Sequence, residues 1–192
     1  MQPIPMNQGE AGELAEGNKT PAQKDYEEGV KHLQGKEQAM AANAFHNAMV
    51  GFEEENNKHG IAQCADKLGD ICHERHDWDK AISYYDKAHE ICTEDFDRFS
   101  LFLLEKKKAQ VTRDAGRLDE ALAAYLDVLD EYSGLNDPQG SVKTLETIAD
   151  IYLEQGNKSE AADAYRTVAS IHKQFGHNIH EAEFMEKAEK LS

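Results

Sequence analysis

From Thr20 onward, apolar residues recur at three- and four-residue spacings, as in Ala41, Phe45 and Ala48. No apolar–polar alternation persists long enough for a strand. Proline, which would interrupt a helix, occurs after Pro21 only at Pro138, and the remaining punctuation is Gly, Asn and Asp. The pattern therefore predicts an all-α chain of long helices. Its start is predicted at Thr20-Pro21: Thr20 can cap a helix, Pro21 suits the first helical position, and Gln23 stands where a capping box places its amide. Residues 1–19 are rich in Gly, Pro, Gln, Asn and Glu without an apolar period and are predicted to be a flexible acidic tail.

The helical pattern repeats every 40 residues without an insertion. Ala41, Ala81, Ala121 and Ala161 are each followed four positions later by an aromatic residue, namely Phe45, Tyr85, Tyr125 and Tyr165. Twelve positions before each alanine stands a small residue: Gly29, Gly69, Ala109 and Ala149. Breaks recur at Asn57, Asp97, Asp137 and His177. Each unit then reads as a helical hairpin in which the small column lets two backbones approach and the alanine–aromatic face of the second helix fills the groove. One hairpin cannot bury that face alone, so neighbours must stack. The units are predicted over 22–61, 62–101, 102–141 and 142–181. A lone capping helix over 182–192 follows, where Ala182, Met185 and Ala188 lie 40 residues after Val142, Leu145 and Ile148. The expected architecture is an α-solenoid of four hairpins plus a cap.

Two segments carry a family resemblance. Leu68-Gly69-x2-Cys72 with Ala81-x3-Tyr85-x2-Ala88, and Ile148-Ala149-x2-Tyr152 with Ala161-x3-Tyr165, resemble the tetratricopeptide repeat (TPR), signature W-x2-L-G-x2-Y…A-x3-F…P. The period here is 40 rather than 34, like the long units of kinesin light chains, LGN/Pins adaptors and some bacterial regulators. The column that holds the family's terminal proline contains Glu53, Thr93, Ser133 and Lys173, which predicts a lengthened second helix and exit loop. Lys108 replaces the apolar residue of the Leu68/Ile148 column, so the third unit is the least regular. The resemblance implies a non-enzymatic protein-interaction scaffold that holds a peptide or partner helix on the concave face of its first helices.

In that register the lining residues are Tyr26 and Val30, with Leu33, from the first unit, and Asp70 and His73, with Asp66, from the second. Lys106, Gln110, Arg113 and Arg117 come from the third, and Glu146 and Asp150, with Leu153, from the fourth. The clamp by which some members grip C-terminal carboxylates is not matched, since its first-unit positions hold Tyr26 and Val30. Self-assembly through Tyr26, Val30 and Leu33, or sensing of a small peptide signal, are the alternative readings.

Composition narrows this further. With 21 Lys+Arg against 37 Asp+Glu the net charge is −16, which disfavours nucleic acid and anionic membranes. No apolar run reaches the roughly 20 residues of a membrane span. No basic-then-apolar leader stands at the start, and three unevenly spaced cysteines, Cys64, Cys72 and Cys92, suggest a reducing, cytoplasmic setting. Against that charge, Lys106, Gln110, Arg113 and Arg117 fall at i, i+4, i+7 and i+11, one largely basic stripe that could receive an acidic segment, with Arg113 able to bind bidentately. The competing expectation is that Lys106 and Arg113 pair with Asp66, Asp70, Glu146 or Asp150 on flanking helices. His73 and His76 beside Cys72 and Asp77, and the pair His177/His180, lack the ligand number of a zinc site, and no metal or cofactor is expected. No phosphate loop, nucleophile elbow or H-E-x-x-H motif occurs, so an enzyme is not expected.

Overall fold

The structure is a computed structural model that describes residues 19–95 and 97–191. Apart from Lys19, the tail predicted over 1–19 lies outside the described residues. Among these residues there are nine helices and no strand: α1 (Pro21–Gln34), α2 (Gln38–Glu54), α3 (Lys58–Glu74), α4 (Trp78–Glu94), α5 (Arg98–Asp114), α6 (Leu118–Gly134), α7 (Pro138–Glu154), α8 (Lys158–Gln174) and α9 (Asn178–Glu189). Each packs chiefly on its neighbours in sequence, which is the linear stacking of a TPR-like solenoid. Thr20 caps α1 through a complete capping box with Gln23, and Pro21 and Pro138 occupy helix first turns.

The turns explain the period. In seven of the links between helices, one residue is left-handed: Lys36 (φ 60°), Asn56 (53°), His76 (61°), Gly116 (76°), Asn136 (52°), Gly156 (80°) and Gly176 (72°), at 20-residue spacing but for the step of 40 from His76 to Gly116. The next residue donates its N–H to the carbonyl five positions back, as in Asn57 to Phe52 (2.9 Å), Asp77 to Cys72 (2.9 Å) and Asp137 to Tyr132 (3.0 Å). The left-handed residue bonds three positions back, as in Asn56 to Glu53 at 3.1 Å. This is the Schellman closure of a helix C-terminus, and its last residue serves at once as N-cap of the next helix. Asn57, Asp97 and Asp137 accept from the N–H of Gly60, Ser100 and Gly140 at 3.0, 3.1 and 3.0 Å, whereas the N-caps of α2, α4, α6 and α8 make no such bond.

The six residues beyond a 34-residue unit are shared by both helices of the hairpin, and the exit loop is not lengthened. The second helices α2, α4, α6 and α8 have 17 residues, as do the first helices α3, α5 and α7. Among the described residues the same three-residue turn recurs within and between hairpins. The absence of proline lets two equal half-units form, each of 20 residues.

Packing follows the predicted columns. Phe45 and Tyr85 are buried against Gly29 and Gly69, where an added Cβ would collide with the ring, at 2.8 Å in the case of Gly29. Ala109 and Ala149 are fully buried in the same column beneath Tyr125 and Tyr165. The buried residues fall into three clusters that meet at the third unit. There Lys108, in the column of Leu68 and Ile148, turns outward to pair with Asp86, so the apolar core thins at α5.

Replacing Gly69 by alanine forces the Tyr85 ring aside and should cost about 1–3 kcal/mol in urea unfolding. Lys36→Gly relieves left-handed strain in the first turn and should raise stability by about 0.5 kcal/mol in the same measurement.

Candidate functional site

The first helices α1, α3, α5, α7 and α9 form one face, and the structure resolves what its predicted residues do. One column, Val30, Asp70, Gln110 and Asp150, answers the aromatic column of the hairpin. The Tyr85 hydroxyl donates to Asp70 (2.8 Å) and that of Tyr125 to Gln110 (2.8 Å), while in the first unit the hydroxyl-free Phe45 stands where Val30 stands. Burial, then the nearby carboxylates, push the Tyr85 hydroxyl well above its usual range, and burial, then Asp150, raise that of Tyr165. Asp70, Gln110 and Asp150 thus have a packing role at the rim of the core. Tyr26 meets Phe45 edge-on at 5.4 Å, and Tyr26, Val30 and Leu33 are half-buried against the first core cluster.

The basic stripe divides. Arg113 bonds Glu154 at 2.7 Å and lies 3.7 Å from Asp150, as the pairing expectation had it. Lys106 does not reach Asp66 or Asp70; its ammonium bonds the Tyr132 hydroxyl and lies over the rings of Tyr132 (4.9 Å) and Phe102 (5.5 Å). The carboxylates of Asp66 and Asp70 are taken by Lys107, one residue on. Arg117, the N-cap of α6, pairs with Asp79 in the first turn of α4, away from the first-helix face. His73 bonds Asp114 of α5 at 2.7 Å and packs near Trp78, with His76 on the same ring at 4.8 Å. These two histidines do not converge with Cys72 and Asp77, and among the described residues no group of three or more His, Cys, Asp or Glu is placed to hold a metal ion.

Open space lies between successive first helices, in columns set by the register. At each junction, a residue near the end of the intervening second helix (Phe52, Cys92, Tyr132 or His172) faces one in the first turn of the next first helix (Gly60, Ser100, Gly140 or His180). Phe52 lies so close over Gly60 that a Cβ there would be 2.5 Å from the ring, and the Tyr132 ring covers Gly140 likewise. Tyr132, Phe102 (edge-on at 4.9 Å) and Lys106 occupy the third junction. The first junction holds a shallow cavity of about 380 Å³ lined by Tyr26, Phe52, Gly60 and Gln63. The second, with Cys92 and Ser100 in place of ring and glycine, holds a cavity of about 420 Å³. Its floor is Ala62, Ala88, Ile91, Cys92 and Leu104, and its rim is Leu103, Asp66, Asp95, Asp97 and Lys107. The fourth, lined by Val142, Glu146, His172, His180, Phe184 and Lys187 among others, encloses about 600 Å³. Its lining is that of the second displaced by 80 residues, as Asp66 to Glu146 and Lys107 to Lys187. Burial, then the neighbouring His180 and His177, lower the basicity of His172.

Sequence reasoning missed Lys107, Cys92 and His172. A signal for each was present: lysine recurs at 67, 107 and 187, and the column 52, 92, 132, 172 holds Phe, Cys, Tyr and His opposite Gly, Ser, Gly and His.

Residues 10–144 match the family model described as soluble NSF attachment protein, SNAP. The chain belongs to the SNAP family. Residues 136–174 of this SNAP-family chain also match a tetratricopeptide repeat model, in accord with the fold. Among proteins with curated descriptions, none matches. Among solved structures, the apo form of RapI superposes with a TM-score of 0.72 at 15% identity, over 95% of this chain and 52% of RapI. A putative kinesin light chain from Podosopora anserina with nearly identical TPR-like repeats gives 0.65 at 11% identity, over 90% and 96%. The Rap conjugation gene regulator of plasmid pLS20, in complex with the Phr* peptide, gives 0.63 at 15% identity, over 98% and 56%. At these identities the likeness is one of fold, and the SNAP-family chain spans about half the length of the two Rap proteins.

The tyrosine pairing is testable by a double-mutant cycle. Tyr125→Phe and Gln110→Val should each cost about 1 kcal/mol, and the double variant, which recreates the Phe45/Val30 arrangement, should cost clearly less than their sum in urea unfolding.

Proposed function

We propose that this SNAP-family chain is a non-enzymatic adaptor that seats a segment of a partner protein on the face of its first helices, with an apolar side chain anchored in the second-junction cavity. The observation that carries the reading is the cavity itself. At the first junction a ring over glycine leaves a shallow, largely polar-lined cavity of about 380 Å³, and at the third the ring of Tyr132 covers Gly140, whereas Cys92 and Ser100 open about 420 Å³ onto an apolar floor. Half-exposed Leu103 at its edge, and Phe99 one turn before it at 71% exposure, extend the apolar surface outward.

Two further points support an adaptor. The family's name is that of an attachment protein, and the pLS20 Rap regulator, whose solenoid overlays nearly all of this chain, was solved with a peptide bound. The partner expected from the basic stripe alone is acidic, but Arg113 and Arg117 already have carboxylate partners within the chain, and Lys106 is held by the Tyr132 hydroxyl and the rings of Tyr132 and Phe102. The rim carboxylates Asp95 and Asp97 favour instead a segment with an apolar anchor and basic flanks. None of the described helices is long and apolar enough to cross a membrane, and with all three cysteines free we assign the protein to the cytoplasm.

Peptides selected from a display library on the purified chain provide the test. In Cys92→Phe/Ser100→Gly the second junction acquires the ring-over-glycine closure of its neighbours. This variant should keep its helical circular dichroism and melting cooperativity while losing at least tenfold in affinity for the selected peptides by fluorescence anisotropy. Undiminished binding would place the site elsewhere.

A further inference from the structure

The fourth junction repeats the outline of the second and changes the chemistry of its rim. Displaced by 80 residues, the apolar floor is kept: Ile91 becomes Ile171, Leu104 becomes Phe184, and Val142 stands where Ala62 does. Phe184 is buried and stacks on the His172 ring at 5.6 Å with 15° between the planes, which fixes that wall. Phe175, 56% exposed, stands at the mouth, and Ile179, 83% exposed, is the counterpart of Phe99 at the second junction. At the first and third junctions, where a ring lies over glycine, that position holds His59 and Gln139. Exposed apolar surface thus accompanies the second and fourth cavities, and about 600 Å³ gives the fourth room for a large apolar side chain.

The charge of the rim differs. At the second cavity Lys107 takes Asp66, and Asp95 and Asp97 remain at the mouth. At the fourth, Phe175 and His177 stand in place of Asp95 and Asp97, and Lys143 in place of Gln63. Its two carboxylates, Glu146 and Glu183, are matched in number by Lys143 and Lys187, and the imidazoles of His172, His177 and His180 are added. Glu183 is held by Lys187 at 3.1 Å, whereas Lys143 is exposed and has no ion-pair partner among the described residues. The start of α9 differs as well. The Asp97 carboxylate accepts from the Ser100 N–H at 3.1 Å, and Thr20, Asn57 and Asp137 cap α1, α3 and α7 in the same manner. His177 makes no such bond, so α9 alone of the first helices begins, at the edge of this cavity, without a side-chain acceptor.

We propose that the fourth junction is a docking site for a segment of a partner protein that carries a large apolar side chain flanked by Asp or Glu. The apolar side chain enters the cavity between Val142, Ile171 and Phe184. One flanking carboxylate takes the place at the start of α9 that Asp97 holds at the start of α5, and another meets the Lys143 ammonium. The second cavity rejects such a segment, because Asp95 and Asp97 would face its carboxylates. Two cavities of one outline on one face therefore select segments of opposite charge. The fourth site is separate from the second and stands or falls independently of it.

Two synthetic peptides serve as probes against the full chain, read by fluorescence anisotropy: a central Phe flanked by Glu residues, and the same Phe flanked by Lys. The Glu-flanked peptide should bind saturably, and Cys92→Phe/Ser100→Gly should leave its affinity unchanged. His177→Asp supplies α9 with the cap that Asp97 and Asp137 give to α5 and α7. It should keep or raise the melting temperature while weakening the Glu-flanked peptide about tenfold, since the chain's own carboxylate then fills the place of the ligand's. Lys143→Glu, at an exposed position, should weaken it about fivefold with circular dichroism unchanged. His172→Tyr/His180→Gly, which imports the Tyr132-over-Gly140 closure, should abolish binding. Absence of saturable binding would overturn the proposal, as would an affinity untouched by both His177→Asp and Lys143→Glu. So would loss of binding on closing the second junction alone, or equal affinity of the two peptides for the Cys92→Phe/Ser100→Gly protein.

Discussion

One backbone conformation governs the molecule: the left-handed residue seen in seven of its three-residue turns. A Schellman closure ends one helix and supplies the cap of the next within the same few residues, so no slack exists between elements. Each helix is thereby delivered at the same angle and phase as the one two before it, and a side chain's environment is set by its position modulo 40. The positions that adopt this conformation include Lys36, Asn56, His76 and Asn136 as well as three glycines. A lysine or histidine at positive φ costs about 1–2 kcal/mol, which only packing of the flanking helices can offset. The turns are therefore dictated by the stack as much as by their own residues.

Given that rigid step, diversity is confined to what occupies each column. The hairpin interior is conservative: an aromatic over glycine or alanine, with a polar partner wherever the ring carries a hydroxyl. The junctions between first helices are where the units differ. A ring over glycine at the first and third junctions buries apolar surface worth about 2–3 kcal/mol. The second junction forgoes that stabilisation next to a unit whose core is already interrupted by Lys108. A weakly closed seam beside an open apolar cavity gives a solenoid of this kind a place to recognise something else, because the surrounding half-units hold the cavity walls in position.

The fold was legible because it depends on columns, and columns can be read by subtraction: Ala41, Ala81, Ala121 and Ala161 carry it. The half-period of 20 was not apparent because first and second helices bury different faces, so their apolar patterns do not superpose even though their lengths do. The turn column hides it further, mixing Lys, Asn, His and Gly, which share a conformation and no chemistry. The site was less legible for a related reason. Spacing puts Lys106 and Lys107 about 100° apart on one helix, yet both are long enough to reach either flank. Which one meets Asp66 and Asp70 is decided by the rings of Phe102 and Tyr132, which draw Lys106 to the far side. Similarly, Asp70 and Gln110 look like groove ligands until the tyrosine fifteen residues on is seen to donate to them.

The charge of the face follows from the same placements. Arg113 to Glu154, Lys107 to Asp66 and Asp70, and His73 to Asp114 all run between successive first helices, so these side chains act as cross-ties. An acidic ligand seeking Arg113 would have to displace Glu154 and leave that carboxylate unpaired, gaining little in exchange. The carboxylates exceed their partners across a chain of net charge −16, and Asp95 and Asp97 stand at the mouth of the second cavity. On the proposed reading, long-range attraction acts on basic segments, and the cavity selects among them by the shape of one apolar side chain. The intramolecular pairs that remove the obvious basic site are what leave the less obvious apolar one as the feature capable of discrimination.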